Sequence, residues 1–221
     1  MDDNYKSLFS GFISGGIHTI VGYPFDTIKT LKQSNVQFKS KNLFNGLPYP
    51  LIQNSVMNSI TFGSNHFLKK NNNEYISNLY SGIISSIIST PLDKYKITRQ
   101  YNMKYEINIK NMFMSYKNLH IVSMREIPAI FIYFSTYERL KKNDISTFLS
   151  GSIAGVNSWV FTYPIDTIKT RLQNNTSKTM IEAYKKGSLF NGISICLIRA
   201  FIVNGVNFTV YEYINNLLNK K

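Results

Sequence analysis

Cysteine is almost missing from this 221-residue chain: the single Cys196 excludes an internal disulfide and any site built from several thiolates. Histidine is scarce too, and His18, His66 and His120 share no ligand spacing, so no metal site is expected. Neither a glycine-rich phosphate loop nor a nucleophile elbow occurs, which argues against an enzyme and against a cofactor. Acidic residues are outnumbered, with 12 Asp and Glu against 25 Lys and Arg and a formal net charge of +13. Met1-Asp2-Asp3 at the start is acidic, unlike an Arg-rich transit peptide, so any organelle address is expected to be internal.

The mean hydropathy is slightly negative, which alone suggests a soluble protein. Long charge-free windows say otherwise. No Asp, Glu, Lys or Arg falls between Ser7 and Phe25, Asn42 and Asn65, Tyr75 and Leu92, or Ile145 and Ile165. Two further windows are nearly clean: Leu119 to Tyr137 holds only Arg125 and Glu126, and Gly187 to Tyr211 only Arg199. A spanning helix needs about 20 mainly apolar residues, so the windows predict six transmembrane helices. The Asn, Ser, Thr and Tyr inside them predict faces turned to water, as in helices lining an aqueous cavity.

One hexapeptide is written three times: Pro24-Phe25-Asp26-Thr27-Ile28-Lys29, Pro91-Leu92-Asp93-Lys94-Tyr95-Lys96 and Pro164-Ile165-Asp166-Thr167-Ile168-Lys169. Each copy is trailed by a glutamine at the same offset, Gln33, Gln100 and Gln173. Each is also preceded by a small-residue motif, Ser10-Gly11 with Gly15, Ser77-Asn78 with Gly82, and Ser150-Gly151 with Gly155. Small residues four apart let helix backbones approach closely, which is how helices associate in lipid. A triplicated unit predicts threefold pseudo-symmetry within a single domain spanning 1–221, with repeats 1–70, 71–142 and 143–221.

Charge orients the chain. Residues 26–41, 93–117 and 166–186 carry +3, +4 and +3, whereas the short connections 69–74 and 138–144 carry +1 each. The Lys and Arg excess marks one face as inside, with both termini on the other. A nucleic-acid surface is the competing reading of this charge, but the basic residues form no folded unit separate from the spans.

These features together resemble the mitochondrial carrier family, whose signature is Pro-x-Asp/Glu-x-x-Lys/Arg in three tandem repeats. The resemblance covers essentially the whole chain. It implies an all-α membrane protein: six helices around a central cavity that opens alternately to the two sides of the mitochondrial inner membrane. It also implies transport of a small charged metabolite by exchange or uniport, a monomer, and lipid contacts, cardiolipin among them. By similarity, Asp26 pairs with Lys96, Asp93 with Lys169 and Asp166 with Lys29 in a matrix gate, with Gln33, Gln100 and Gln173 as braces. Ion pairs facing a watery vestibule are worth roughly 0 to 1 kcal/mol apiece, so three of them make a latch that can open in each cycle. A permanent structural network is the alternative.

The family's second gate is incomplete here. Tyr137-Glu138 with Lys141 is intact, Tyr211-Glu212 has Asn215 where the base belongs, and His66 with Lys69 lacks the acid. The resemblance pairs Glu212 with Lys69 and leaves Glu138 facing Asn215, which predicts a weak cytoplasmic gate and a cavity open to the intermembrane space at rest. Tyr137 and Tyr211 act as its braces.

Thirteen residues before His66, Glu138 and Glu212 stand Gln53, Arg125 and Arg199, equivalent by symmetry and matching the family's substrate contact points. An arginine at mid-membrane depth is costly unless it faces water or a partner. Arg125 with Glu126 is either a reader of a zwitterion or an internal structural pair; Arg199 is the expected carboxylate or phosphate ligand. Arg125-Glu126-Ile127-Pro128 resembles S-adenosylmethionine carriers, and Arg199 with Asn204 the amino-acid branch. The alternatives are a nucleotide or deoxynucleotide carrier, with Tyr23, Tyr133 or Trp159 stacking on the base, a proton-leak protein, and a non-transporting degenerate carrier.

Two departures mark a reduced member. Only 12 residues separate Gln33 from Gly46, too few for the usual amphipathic matrix helix, and Asn118 replaces the glycine held by Gly46 and Gly192. The third repeat keeps a short helix over Thr179 to Lys186. Runs such as Asn71-Asn72-Asn73 suggest an AT-biased genome, that of a protist or a large DNA virus, the latter implying the host's mitochondrion.

Overall fold

A computed structural model of the chain describes residues 3–33, 47–100, 113, 116, 119–173 and 179–219, and their side chains except those of 3, 26–33, 93–100, 170 and 173. The described residues are almost wholly helical: α1 (Asp3–Gln33), α2 (Pro48–Lys69), α3 (Glu74–Gln100), α4 (Leu119–Lys142), α5 (Thr147–Gln173), α6 (Met180–Lys185) and α7 (Ile193–Asn219).

The six long helices close into a ring. Each packs on the next in sequence, with α5 followed by α7, and α7 returns to α1. The first and second helices of the repeats therefore alternate around the ring, so α2, α4 and α7 meet one another only across its axis. Helices α1, α3 and α5 run on through Pro24, Pro91 and Pro164.

The small-residue motif sets the closeness within each repeat. A Cβ added to Gly15 would stand 2.6 Å from the Asn54 carbonyl oxygen of α2, and one on Gly82 3.0 Å from Ile127 Cα of α4. Only a hydrogen at these positions lets the backbones meet.

Burial is inverted relative to a water-soluble protein. Ser7, Ser10, Ser14, Ser77, Ser81 and Ser85 are buried, while Phe9, Phe12, Ile20, Ile87, Phe161 and Ile198 are exposed. Several buried hydroxyls return their hydrogen to their own helix, as Ser81 does to Ser77 O at 2.8 Å and Thr90 to Ser86 O at 2.7 Å. Polar interior and apolar exterior are the arrangement of helices solvated by lipid. On length and composition alone, α7 is the one described helix apolar enough to cross a membrane. The other long helices fall short because their serines, threonines and asparagines dilute the average while facing inward.

Both turns between repeats are short, and at that end Lys142 donates to Glu74 at 2.6 Å, tying α4 to α3. That hydrogen bond raises the Lys142 pKa above its ordinary value. Lys6 donates to Asn219 at 3.0 Å, which places the start of α1 beside the end of α7. At the opposite end, α6 matches the expected short helix: Thr179 caps it by accepting from Glu182 N at 3.2 Å. Arg171 fixes the chain behind it, donating to Ala183 O at 2.6 Å and Gly187 O at 2.8 Å. Gly187, at φ +65°, supplies the left-handed residue that ends the helix. Gly46 and Asn118 lie outside the described residues.

Candidate substrate cavity and gates

A cavity of about 320 Å³ lies inside the ring. Four of the five expected contact residues meet in its wall: Gln53 from α2, Arg125 and Glu126 from α4, and Asn204 from α7. Arg125 Nη1 pairs with Glu126, its Nε lies 3.4 Å from Asp166 Oδ1 of α5, and its guanidinium sits 5.6 Å from the centre of the Trp159 ring. The Arg125–Glu126 pair is thus present and also faces the cavity, which places one positive and one negative group side by side against any ligand. Gln53 is buried, and no hydrogen bond to its Oε1 exists among the described residues; the same holds for His18 Nδ1 on the same wall. Both are polar atoms in the wall of a polar space.

Arg199, the fifth expected contact residue, does not line that cavity. Its Nη2 lies where a Cβ on Gly22 would come within 3.1 Å, so the side chain fills a slot between α7 and α1. The slot exists because Gly22 stands where the other repeats have Ser89 and Thr162, two residues before the proline, and both of those do line the cavity. Of the aromatic candidates, Tyr133 and Trp159 line the cavity and Tyr23 does not.

Of the matrix-gate residues, Asp166 and Lys169 are described; Lys169 is buried, three residues from Asp166. The side chains of Asp26, Lys29, Gln33, Asp93, Lys96, Gln100 and Gln173 lie outside the description.

The other end of the ring is shut. Lys69 of α2 pairs with Glu138 of α4, and Lys141 of α4 lies 3.6 Å from Glu212 of α7. Glu212 also accepts from Tyr137 and, at 2.6 Å, from Thr147. Tyr211 is braced by Ser7 at 2.6 Å. These contacts replace the expected Glu212–Lys69 pairing. Each lysine reaches the acid of the following repeat, so two lysine–glutamate pairs form, and the third junction brings Asn215 and His66 to the equivalent positions. Those two residues share a second cavity of about 360 Å³ outside the aromatic layer described next. Asn215→Lys alone is therefore expected to change exchange rates in proteoliposomes by less than about twofold, because the matching position of the next repeat holds His66 in place of an acid. Together with His66→Glu it adds a third pair and slows exchange up to about fivefold.

An aromatic layer divides the two cavities. Phe62 meets Phe134 and Phe208 edge-on, each at 5.3 Å between ring centres, and Tyr137 stacks on Phe208 at 3.5 Å. These phenylalanines went unnoticed in the sequence, although one stands nine residues after each of Gln53, Arg125 and Arg199. Asn78, in the glycine place of the second repeat, is also more than a substitution. It is fully buried, accepts from Asn65 at 2.6 Å and donates to Ser135 at 3.2 Å and Glu138 at 3.1 Å, which orients that gate carboxylate.

The chain is similar to known proteins along most of its length. The family model described as "Mitochondrial carrier protein" matches residues 2–43 and 142–221. The chain is 30% identical to "Mitochondrial substrate carrier family protein Y" of Dictyostelium discoideum, covering 97% of this chain and 69% of that protein. That alignment runs over 300 positions, so the relative carries internal segments with no counterpart here. The chain is 24% identical to "Mitochondrial arginine transporter BAC2" of Arabidopsis thaliana, over 94% of this chain and 89% of that one. It is 26% identical to "Mitochondrial ornithine transporter 1" of Schizosaccharomyces pombe, over 93% and 91%. A thrice-written signature, a closed ring of six long helices around a polar cavity, and these matches lead to one assignment: the chain belongs to the mitochondrial carrier family, membrane proteins that transport small metabolites.

Proposed function

We propose that this protein is a multi-pass carrier of the mitochondrial inner membrane, exchanging an amino-acid-like metabolite by alternating access of the central cavity. All six long helices cross the bilayer, the basic connections face the matrix, and the ion-paired end faces the intermembrane space. The observation that carries the substrate class is the side-by-side Arg125 and Glu126 in the cavity wall. A guanidinium for the carboxylate and a carboxylate for the ammonium read the two ends of a zwitterion. The buried Gln53 Oε1, which has no hydrogen bond among the described residues, offers a further acceptor to an ammonium. Asp166 beside Arg125 adds a second carboxylate, so a polyanion such as a nucleotide meets a guanidinium already engaged twice. The same guanidinium covers the Trp159 ring that a base would need. The arginine and ornithine transporters among the relatives fit this reading.

Exchange in proteoliposomes tests it, with arginine, ornithine, S-adenosylmethionine, nucleotides and dicarboxylates as internal and external solutes. The expected result is homo-exchange of one amino-acid-type solute and none of nucleotides. Nucleotide exchange, or fatty-acid-stimulated proton flux without metabolite exchange, would overturn it.

A further inference from the structure

The closed end of the ring is held by side chains that cross the axis, since α2, α4 and α7 are not neighbours around it. Three tiers do this: the lysine–glutamate pairs outermost, the phenylalanine layer beneath them, and a polar tie at the cavity roof. In that tie, Asn58 of α2 donates to Asn207 Oδ1 of α7 at 2.9 Å, and Asn207 Nδ2 donates to the Tyr133 hydroxyl of α4 at 3.3 Å. One buried amide thus joins all three second helices, and both of its ends are committed.

Position within the repeats makes Asn207 singular. Its equivalents are Tyr133 and Thr61, and Thr61 turns sideways, to Met57 O at 2.8 Å and Ser85 of α3 at 3.0 Å. Asn58, Tyr133 and Asn207 all line the substrate cavity, whereas the ion pairs lie beyond the phenylalanines. The polar tie is therefore the tier whose hydrogen bonds a ligand inside the cavity can compete for.

We infer that Asn207 is a ligand-released latch: the substrate's carboxylate takes the Asn58 donor, its ammonium takes the Tyr133 hydroxyl oxygen as acceptor, Asn207 loses both partners, and the closed end loosens. This rests on the amino-acid reading above for the identity of the displacing group. The physical requirement is that the ligand bind the released arrangement better than the latched one, since equal affinity for both shifts nothing. A zwitterion meets it because its carboxylate accepting from Asn58 and its ammonium donating to Tyr133 make charge-assisted hydrogen bonds, whereas those they replace are neutral.

The single native cysteine permits a direct test. The full chain, as Cys196→Ser with Ala129→Cys in the cavity wall, is reconstituted and exposed to a membrane-impermeant thiol reagent from the side of the 70–73 turn. Asn207→Ala is expected to speed labelling about tenfold, Tyr133→Phe to speed it less, and neither to change labelling from the opposite side. If Asn207→Ala does not reconstitute, Tyr133→Phe decides. Unchanged labelling, or an equal rise from both sides, overturns the latch. Because this rate is read without substrate, a latch that responds as expected alongside a failed arginine and ornithine exchange would reject the substrate class and leave the latch standing.

Discussion

Replacing Arg125 by alanine is expected to lower exchange about 100-fold, the largest loss from any single cavity substitution. Three contacts converge on this guanidinium: Glu126, Asp166 and the Trp159 ring. Its removal deletes the ligand for the substrate carboxylate and leaves two carboxylates without their shared counter-charge. Removing one partner of a sheltered ion pair costs about 3 kcal/mol or more, and about 2.7 kcal/mol already corresponds to 100-fold. Arg125→Lys keeps the charge but loses the planar fork that addresses two carboxylates at once, so it should restore only part of the rate. Initial exchange rates across a concentration series separate the roles. A ligand role raises the apparent KM and lowers the maximal rate together, whereas a purely structural role lowers the amount of folded carrier and leaves KM alone. Unimpaired exchange by Arg125→Ala would remove the substrate assignment.

Much of this arrangement was legible because the sequence states it three times. The repeated Pro-x-Asp-x-x-Lys, its small-residue prelude and the charge-free windows gave the helix order, and the ring of six long helices follows them. The short helix after α5 was legible from Thr179 and Glu182, whose spacing is that of a helix cap. The gate pairing was not. An acid and a base three residues apart allow each lysine to reach either neighbouring repeat, and the choice depends on the hand of the ring, which no spacing encodes. The direction of Arg199 was hidden for a different reason: it depends on a slot opened by Gly22, far away in sequence. The same applies to Asn207, whose partners stand on two other helices. The phenylalanine layer, by contrast, was written at equal offsets in every repeat.

The central claim is that the ends of α2, α4 and α7 part and rejoin in every turnover, and locking two of them together tests it most directly. Lys69 and Glu138, paired across the axis and outside the aromatic layer, are the positions to use. In a Cys196→Ser chain carrying Lys69→Cys and Glu138→Cys, a reversible bifunctional methanethiosulfonate bridges the two thiols; a linker is needed because a direct disulfide brings Cα atoms within about 7 Å. Exchange is predicted to fall to background on cross-linking, to return on reduction, and to be unaffected by the reagent in either single-cysteine chain. Full exchange by a quantitatively cross-linked carrier would contradict the account.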